Sequence, residues 1–339
     1  MRTHRYELLM LVTLAAASAR ADDPRGLPAR LADTGLYAGD GSLNPDVVPF
    51  SPQYPLWSDG ATKRRWIYLP PGSAVDASQP DSWEFPRGTK LWKEFSQGRA
   101  IETRYIERGA DGAWRYGSYV WSADGREAKL APPAGLRDVP APTAPGARYS
   151  IPAENDCRVC HEGAAVPVLG FSALQLSPDR DPLAPHAEVG VSVNLRTLTD
   201  RGSLRGLPPA LLVAPPRIAA TTPTARAALG YLHGNCGHCH NGDGPLAVLE
   251  MTLAQRVASP PAPDAVLESI VEIRSGFQPP SAPTAAPRIA PGHEATSVIA
   301  LRMASRDPLQ QMPPLGTAVI DAEALRLVGR WIENLSTHH

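Results

Sequence analysis

All four cysteines of this 339-residue chain lie in two copies of one pentapeptide, Cys157-Arg-Val-Cys160-His161 and Cys236-Gly-His-Cys239-His240. A Cys-x-x-Cys-His run suits one reaction above others. Its two thiols, a short turn apart, add to the two vinyl groups of a porphyrin as thioethers, and the next histidine ligates the iron. Two copies that use every cysteine predict two covalently bound haem c groups. Cys157, Cys160, Cys236 and Cys239 would be the attachment points, and His161 and His240 the proximal iron ligands. The same cysteine pairs would suit a redox dithiol or a four-cysteine zinc ribbon. A ribbon, however, spaces its pairs about 15–20 residues apart, whereas Cys160 and Cys236 are far more distant and each pair ends in histidine.

A sixth ligand for the second iron is legible in Gln311-Met312-Pro313-Pro314-Leu315-Gly316. This stretch is similar to the Met-Pro-Pro loop of class I cytochromes c, and the resemblance makes Met312 the expected ligand. Its prolines fix φ near −65°, which lowers the entropy lost in closing the loop on a metal. The alternative is a methionine that only fills a gap in the core. For the first iron, Met303, Met251, His186, His233 and His293 are all available, with Met303 in Leu301-Arg302-Met303 the leading candidate, and an open position is the remaining option. His233 and His238, which flank or interrupt the second motif, read equally well as exposed residues. A proline follows each motif, Pro167 after His161 and Pro245 after His240. In class I cytochromes the neighbourhood of such a proline gives a carbonyl to the histidine Nδ1–H and raises its basicity.

The elements that must carry these residues divide the chain. From about 45 to 131 short runs of aromatic and branched residues, such as Arg65-Trp66-Ile67-Tyr68-Leu69 and Thr103-Arg104-Tyr105-Ile106, predict strands. Asp111-Gly112 and Asp124-Gly125 supply turns between them. Of the seven tryptophans, all but Trp331 fall here, as expected of a packed β core. Proline-rich stretches from Ala131 to Arg148 and from Leu207 to Thr224 read as linkers that discourage regular structure. Ala225, Ala228, Leu229 and Leu232 predict a helix leading into Cys236. Asp321 caps a second helix, with Leu325, Val328, Ile332 and Leu335 at helical spacing beside Trp331. Gly230 and Gly329 would let these two helices approach closely, as the terminal helices of class I cytochromes c do. The expected fold class is α+β. A β-sandwich-like N-terminal domain (22–148) leads to a first haem-binding segment (149–222) and a mainly helical, cytochrome c-like domain (223–339).

Residues 1–21 read as a secretory leader: Arg2 and Arg5, an apolar stretch from Leu8 to Ala17, and Ala19-Arg20-Ala21 at the cleavage point. The apolar stretch is too short to span a bilayer, so no stable membrane insertion is expected, and the mature chain is placed in the periplasm. With 33 basic against 34 acidic residues the chain offers no electrostatic case for nucleic acid.

The order of these features resembles a family of bacterial dihaem c-type cytochromes of unassigned role, over nearly the whole mature chain. Its marks are Tyr54-Pro-Leu-Trp57-Ser-Asp59-Gly60, Phe85-Pro-Arg-Gly88-Thr89, Glu102-Thr-Arg104, Asn155-Asp-Cys157, Asn235-Cys236, Arg302-Met303 and Met312-Pro-Pro-Leu-Gly316. Relatives often carry Met-Met-Pro-Glu where this chain has Gln311-Met312-Pro313-Pro314, which leaves one methionine in the loop. The resemblance implies electron transfer with a periplasmic redox protein or a dehydrogenase or oxidase subunit. A dihaem peroxidase or MauG-like oxidase with an open first haem is the alternative, although those enzymes resemble two joined helical domains. A third reading is a sensor whose β domain holds a ligand in a pocket lined by Asp59, Glu84, Glu102 and Arg104, residues that otherwise read as solvated strand faces. No triad, phosphate loop or paired-carboxylate constellation stands out in that region, so no catalytic residue is assigned.

Overall fold

The computed structural model of the chain describes residues 23, 25–257, 265–280 and 285–336. The expected leader at 1–21 lies outside them. The described chain is α+β. Ten strands are formed: β1 (Val48–Pro49), β2 (Thr62–Tyr68), β3 (Val75–Asp76), β4 (Lys90–Gln97), β5 (Arg99–Arg108), β6 (Trp114–Trp121), β7 (Ala128–Leu130), β8 (Leu136–Pro140), β9 (Arg148–Ile151) and β10 (Leu204–Arg205). Seven helices join them: α1 (Glu154–His161), α2 (Leu195–Asp200), α3 (Ala210–Val213), α4 (Pro223–Asn235), α5 (Ala265–Ile270), α6 (Val298–Met303) and α7 (Ala322–Glu333).

The strands expected between 45 and 131 form one antiparallel sheet in the order β1-β2-β4-β5-β6-β7, not the two packed sheets of a sandwich. The reason is that each face already has another cover. Side chains alternate along a strand, and the register aligns Trp66, Trp92 and Tyr105 across β2, β4 and β5 on one face. Leu27, Leu31, Leu36 and Val47 from the N-terminal segment bury that face. Gly117 makes their approach possible, since a Cβ there would lie 2.6 Å from Leu27 Cδ1. The other face carries Ile67, Leu91, Ile106 and Tyr116, and these pack against Val168, Phe171, Leu176, Leu195 and Leu198. The segment holding the first motif is therefore the second cover of the sheet.

The proline-rich stretches do hold regular structure. β8 pairs with β9 in an antiparallel ribbon across the first, and α3 lies within the second. Prolines are tolerated here because a two-stranded ribbon has free edges and a helix can begin after proline.

Two helices stand where the sequence predicts them. Thr222 caps α4, its side chain accepting from Ala225 N at 3.1 Å, with Pro223 opening the first turn. Asp321 caps α7 through Ala324 N, also at 3.1 Å. The two helices share a core of Leu229, Leu232, Leu327, Val328, Trp331 and Ile332. The glycines serve other neighbours than expected. A Cβ on Gly230 would meet the ring of Tyr54 at 2.0 Å, and one on Gly329 would meet the Glu294 carboxylate at 2.4 Å. Gly230 thus admits the N-terminal half of the chain into the C-terminal core.

Candidate functional site

The two pentapeptides are brought together although most of the segment between them runs elsewhere. α1 carries the first and rests on β6, with the His161 ring 5.5 Å from that of Tyr116. The second begins at the C-cap of α4 and turns tightly, with His240 N donating to Cys236 O at 2.9 Å. The turns then abut. The Cys160 thiol contacts both the Cys239 thiol and the His238 side chain. Asn241 Nδ2 donates to Gly163 O at 3.0 Å, and a Cβ on Gly244 would come within 2.2 Å of that carbonyl oxygen. All six predicted residues of the two motifs, together with Met312, line one cavity of about 2090 Å³. Single-ligand pockets run to about 300–1,000 Å³, so this space suits two large groups side by side.

The histidines differ in their support. His161 Nδ1 lies 2.5 Å from Pro167 O. A carbonyl only accepts, so Nδ1 carries the proton and Nε2 keeps a lone pair for a metal. Burial holds this imidazole down to about 4, so it is neutral, as a ligand must be. Pro167 therefore does what its position suggests. Pro245 does not, because His240 Nδ1 is buried without a hydrogen-bond partner. Burial also raises the thiols of Cys157 and Cys236, to about 11 and about 12. Contact with Cys239, then burial, takes Cys160 to about 12. Among the described residues no three His, Cys, Asp or Glu side chains gather into a metal site. The donor set is one imidazole in the first motif and two in the second beside paired thiols, with no three of them gathered on one point, which fits porphyrin attachment rather than a cage for a bare ion.

Met312 lies on the cavity wall. It shares a small void with Cys236, Met303 and Asp321 as well as lining the main cavity. The loop is held from several sides. Met312 N donates to Arg302 O at 3.0 Å, and Arg302 Nε donates to Gln310 O at 2.9 Å. Asp59 holds the following turn. It accepts from Thr317 Oγ1 at 2.9 Å, Ala318 N at 3.0 Å and Val319 N at 2.9 Å. Trp57 Nε1 adds a bond to Val319 O at 3.1 Å, and Trp57 N donates to Asn235 Oδ1 at 2.7 Å, just before Cys236. The Tyr54–Gly60 stretch is thus a strap across the second motif and its methionine loop.

Of the residues named for the sixth position of the first iron, Met251, Met303 and His233 line the shared cavity, whereas His186 and His293 do not. Met303 is buried in the C-terminal core and adjoins Met312, and Met251 packs on that same core. His186 is held by Asp321 Oδ2 at 2.9 Å and stacks on Trp57 at 4.8 Å, outside the cavity. His233 is not an exposed residue. Its Nδ1 accepts from Gln255 N at 3.1 Å and burial lowers it to about 4, so the ring proton sits on Nε2 and leaves no lone pair there. His293 precedes a short 3-10 helix and does not line the cavity. The sheet supplies two residues that sequence reading missed, Arg65 and Lys93, which line the cavity together with Arg104 on the side of the first motif. Of the residues named for a polar pocket, Asp59 and Arg104 line it, Glu102 is fully buried against Arg104, and Glu84 is exposed.

A scan against known protein families and searches of curated proteins and of solved structures return no match.

Proposed function

We propose that the protein is a dihaem c-type cytochrome that passes electrons between redox partners. One haem would be held by Cys157, Cys160 and His161, and the other by Cys236, Cys239, His240 and Met312. The observation that carries this reading is the meeting of the two pentapeptides, thiol to thiol, on one cavity large enough for two porphyrins. The support around the motifs fits the same use. The Pro167 carbonyl fixes the His161 tautomer and the 54–60 strap fixes the methionine loop, so the chain's contribution is to orient ligands and hold them rigidly. Haem supplies a one-electron couple when bound. Thioether ligation by Met312 favours a higher potential at the second site, so electrons would rest there on leaving the first. The 1–21 leader, on this reading, directs the chain to the periplasm, and the partner is a periplasmic redox protein or an oxidase or dehydrogenase subunit.

A second reading, a peroxidase or MauG-like oxidase, draws on one specific observation: His186 and His293 do not line the cavity, His233 has no free lone pair, and the two methionines that remain, Met251 and Met303, pack on the C-terminal core. Low-temperature EPR of the oxidised protein, with peroxide consumption under reductant, separates the two. Two low-spin signals without peroxide turnover are expected for the carrier. A high-spin signal from the first site with turnover would replace it by the enzyme.

A further inference from the structure

Arg65, Lys93 and Arg104 are directly opposite one another on β2, β4 and β5. Like charges placed so across a sheet repel and destabilise it. Three in a row, facing a cavity, require compensation, and the protein provides only part of it. Arg104 is paired with Glu102, at 2.9 and 3.1 Å, and Glu102 also accepts from Tyr149 Oη at 2.8 Å. Arg65 is buried, and its ion-pair partner Glu188, half-exposed, is 3.5 Å away. Lys93 rests its ammonium over the Phe95 ring at 4.8 Å and has no hydrogen bond or ion pair with any described residue. Lys63, two residues from Arg65 on the same strand, adds a fourth cation nearby, and the neutral His161 lies within reach of the same field. Burial first, then these neighbouring cations, depresses Lys93 well below the usual lysine range. A cationic row of this kind, lining a cavity, would be neutralised by negative oxygen atoms in that cavity.

We propose that the Arg65–Lys93–Arg104 row is an oxyanion site in the cavity wall, taking carboxylate or inorganic oxyanion groups. Two sources share this chemistry: the propionates of a haem held at the first motif, or a soluble oxyanion entering the cavity. The first source rests on the dihaem reading and the second does not.

The test compares the isolated full-length protein with Lys93→Met, which keeps length but not charge, and Lys93→Arg, which keeps charge. Haem per chain, the potential and EPR signature of each haem, and sulfate binding by calorimetry are measured. If the propionates occupy the row, sulfate does not bind the wild type. Lys93→Met then lowers the potential of one haem with unchanged axial ligands, and Lys93→Arg restores it. If a free oxyanion occupies it, one sulfate binds per chain, with at least tenfold weaker binding in Lys93→Met and retention in Lys93→Arg. Absence of sulfate binding with both potentials unmoved overturns the site. A changed axial-ligand signature in Lys93→Met also overturns it, since the amine would then be bound to iron. A wild type without haem refutes the dihaem reading separately, and sulfate binding alone then decides the row.

Discussion

Asp59→Ala removes the carboxylate that receives Thr317 Oγ1, Ala318 N and Val319 N, all at 2.9–3.0 Å. Hydrogen bonds to a charged group contribute about 1.5–3 kcal/mol each, but Asp59 is only half-buried and water replaces part of what is lost. About 2 kcal/mol of loop closure is a reasonable net loss, and at 1.4 kcal/mol per decade this raises the population of the open loop roughly thirtyfold. On the proposed dihaem reading, the open loop is the state in which Met312 would have left the metal and an added ligand could enter. Its apparent affinity scales with that population. Imidazole titrated into the oxidised protein, followed by absorbance, should therefore bind roughly thirtyfold more tightly at the second site in Asp59→Ala, with the first site unaltered. Asp59→Asn, which keeps one acceptor oxygen, should fall between. Affinity within twofold of wild type would refute the idea that the strap holds the loop closed, as would a change confined to the first site.

Further expectations follow from the same contacts. Met312→Ala should convert one low-spin signal to high spin or to a new ligand signature, and an unchanged spectrum would remove Met312 from the second iron. Gly230→Ala places a methyl in the Tyr54 ring and should cost roughly 1–3 kcal/mol in urea unfolding, whereas Gly242→Ala, where a Cβ meets open space, should cost well under half of that. His233 is held neutral, with its value near 4 against an ordinary 6.5. The unfolded chain then binds the extra proton between those values, so stability is present above pH 6.5 and lost as pH falls towards 4, by on the order of 3 kcal/mol. His233→Gln, which can still accept from Gln255 N, should flatten this part of the stability profile, and a slope equal to wild type would contradict it.

What could be read from the sequence was local. The pentapeptides, the strands between 45 and 131, the helix ending at Cys236 and the Asp321-capped helix are each encoded within a dozen neighbouring residues, by spacing, turn chemistry or a cap. The single sheet was not legible, because alternation shows which residues of a strand share a face but not whether a second sheet or loops cover that face. Here Leu27–Leu36 and the 166–207 segment take that place. The strap stood out in the sequence as a motif but had no visible role, since Asp59 meets residues more than 250 positions later. The cationic row depends on register: Arg65, Lys93 and Arg104 look like ordinary strand-face charges until β2, β4 and β5 align them.

The proposed function stands or falls with covalent attachment of one haem at each pentapeptide. Mass spectrometry of the denatured protein, combined with a pyridine haemochrome assay, tests it directly. Two haem masses should be retained per chain, falling to one in Cys157→Ala/Cys160→Ala and to one in Cys236→Ala/Cys239→Ala. A wild-type chain carrying none, or variants that keep both, would contradict it.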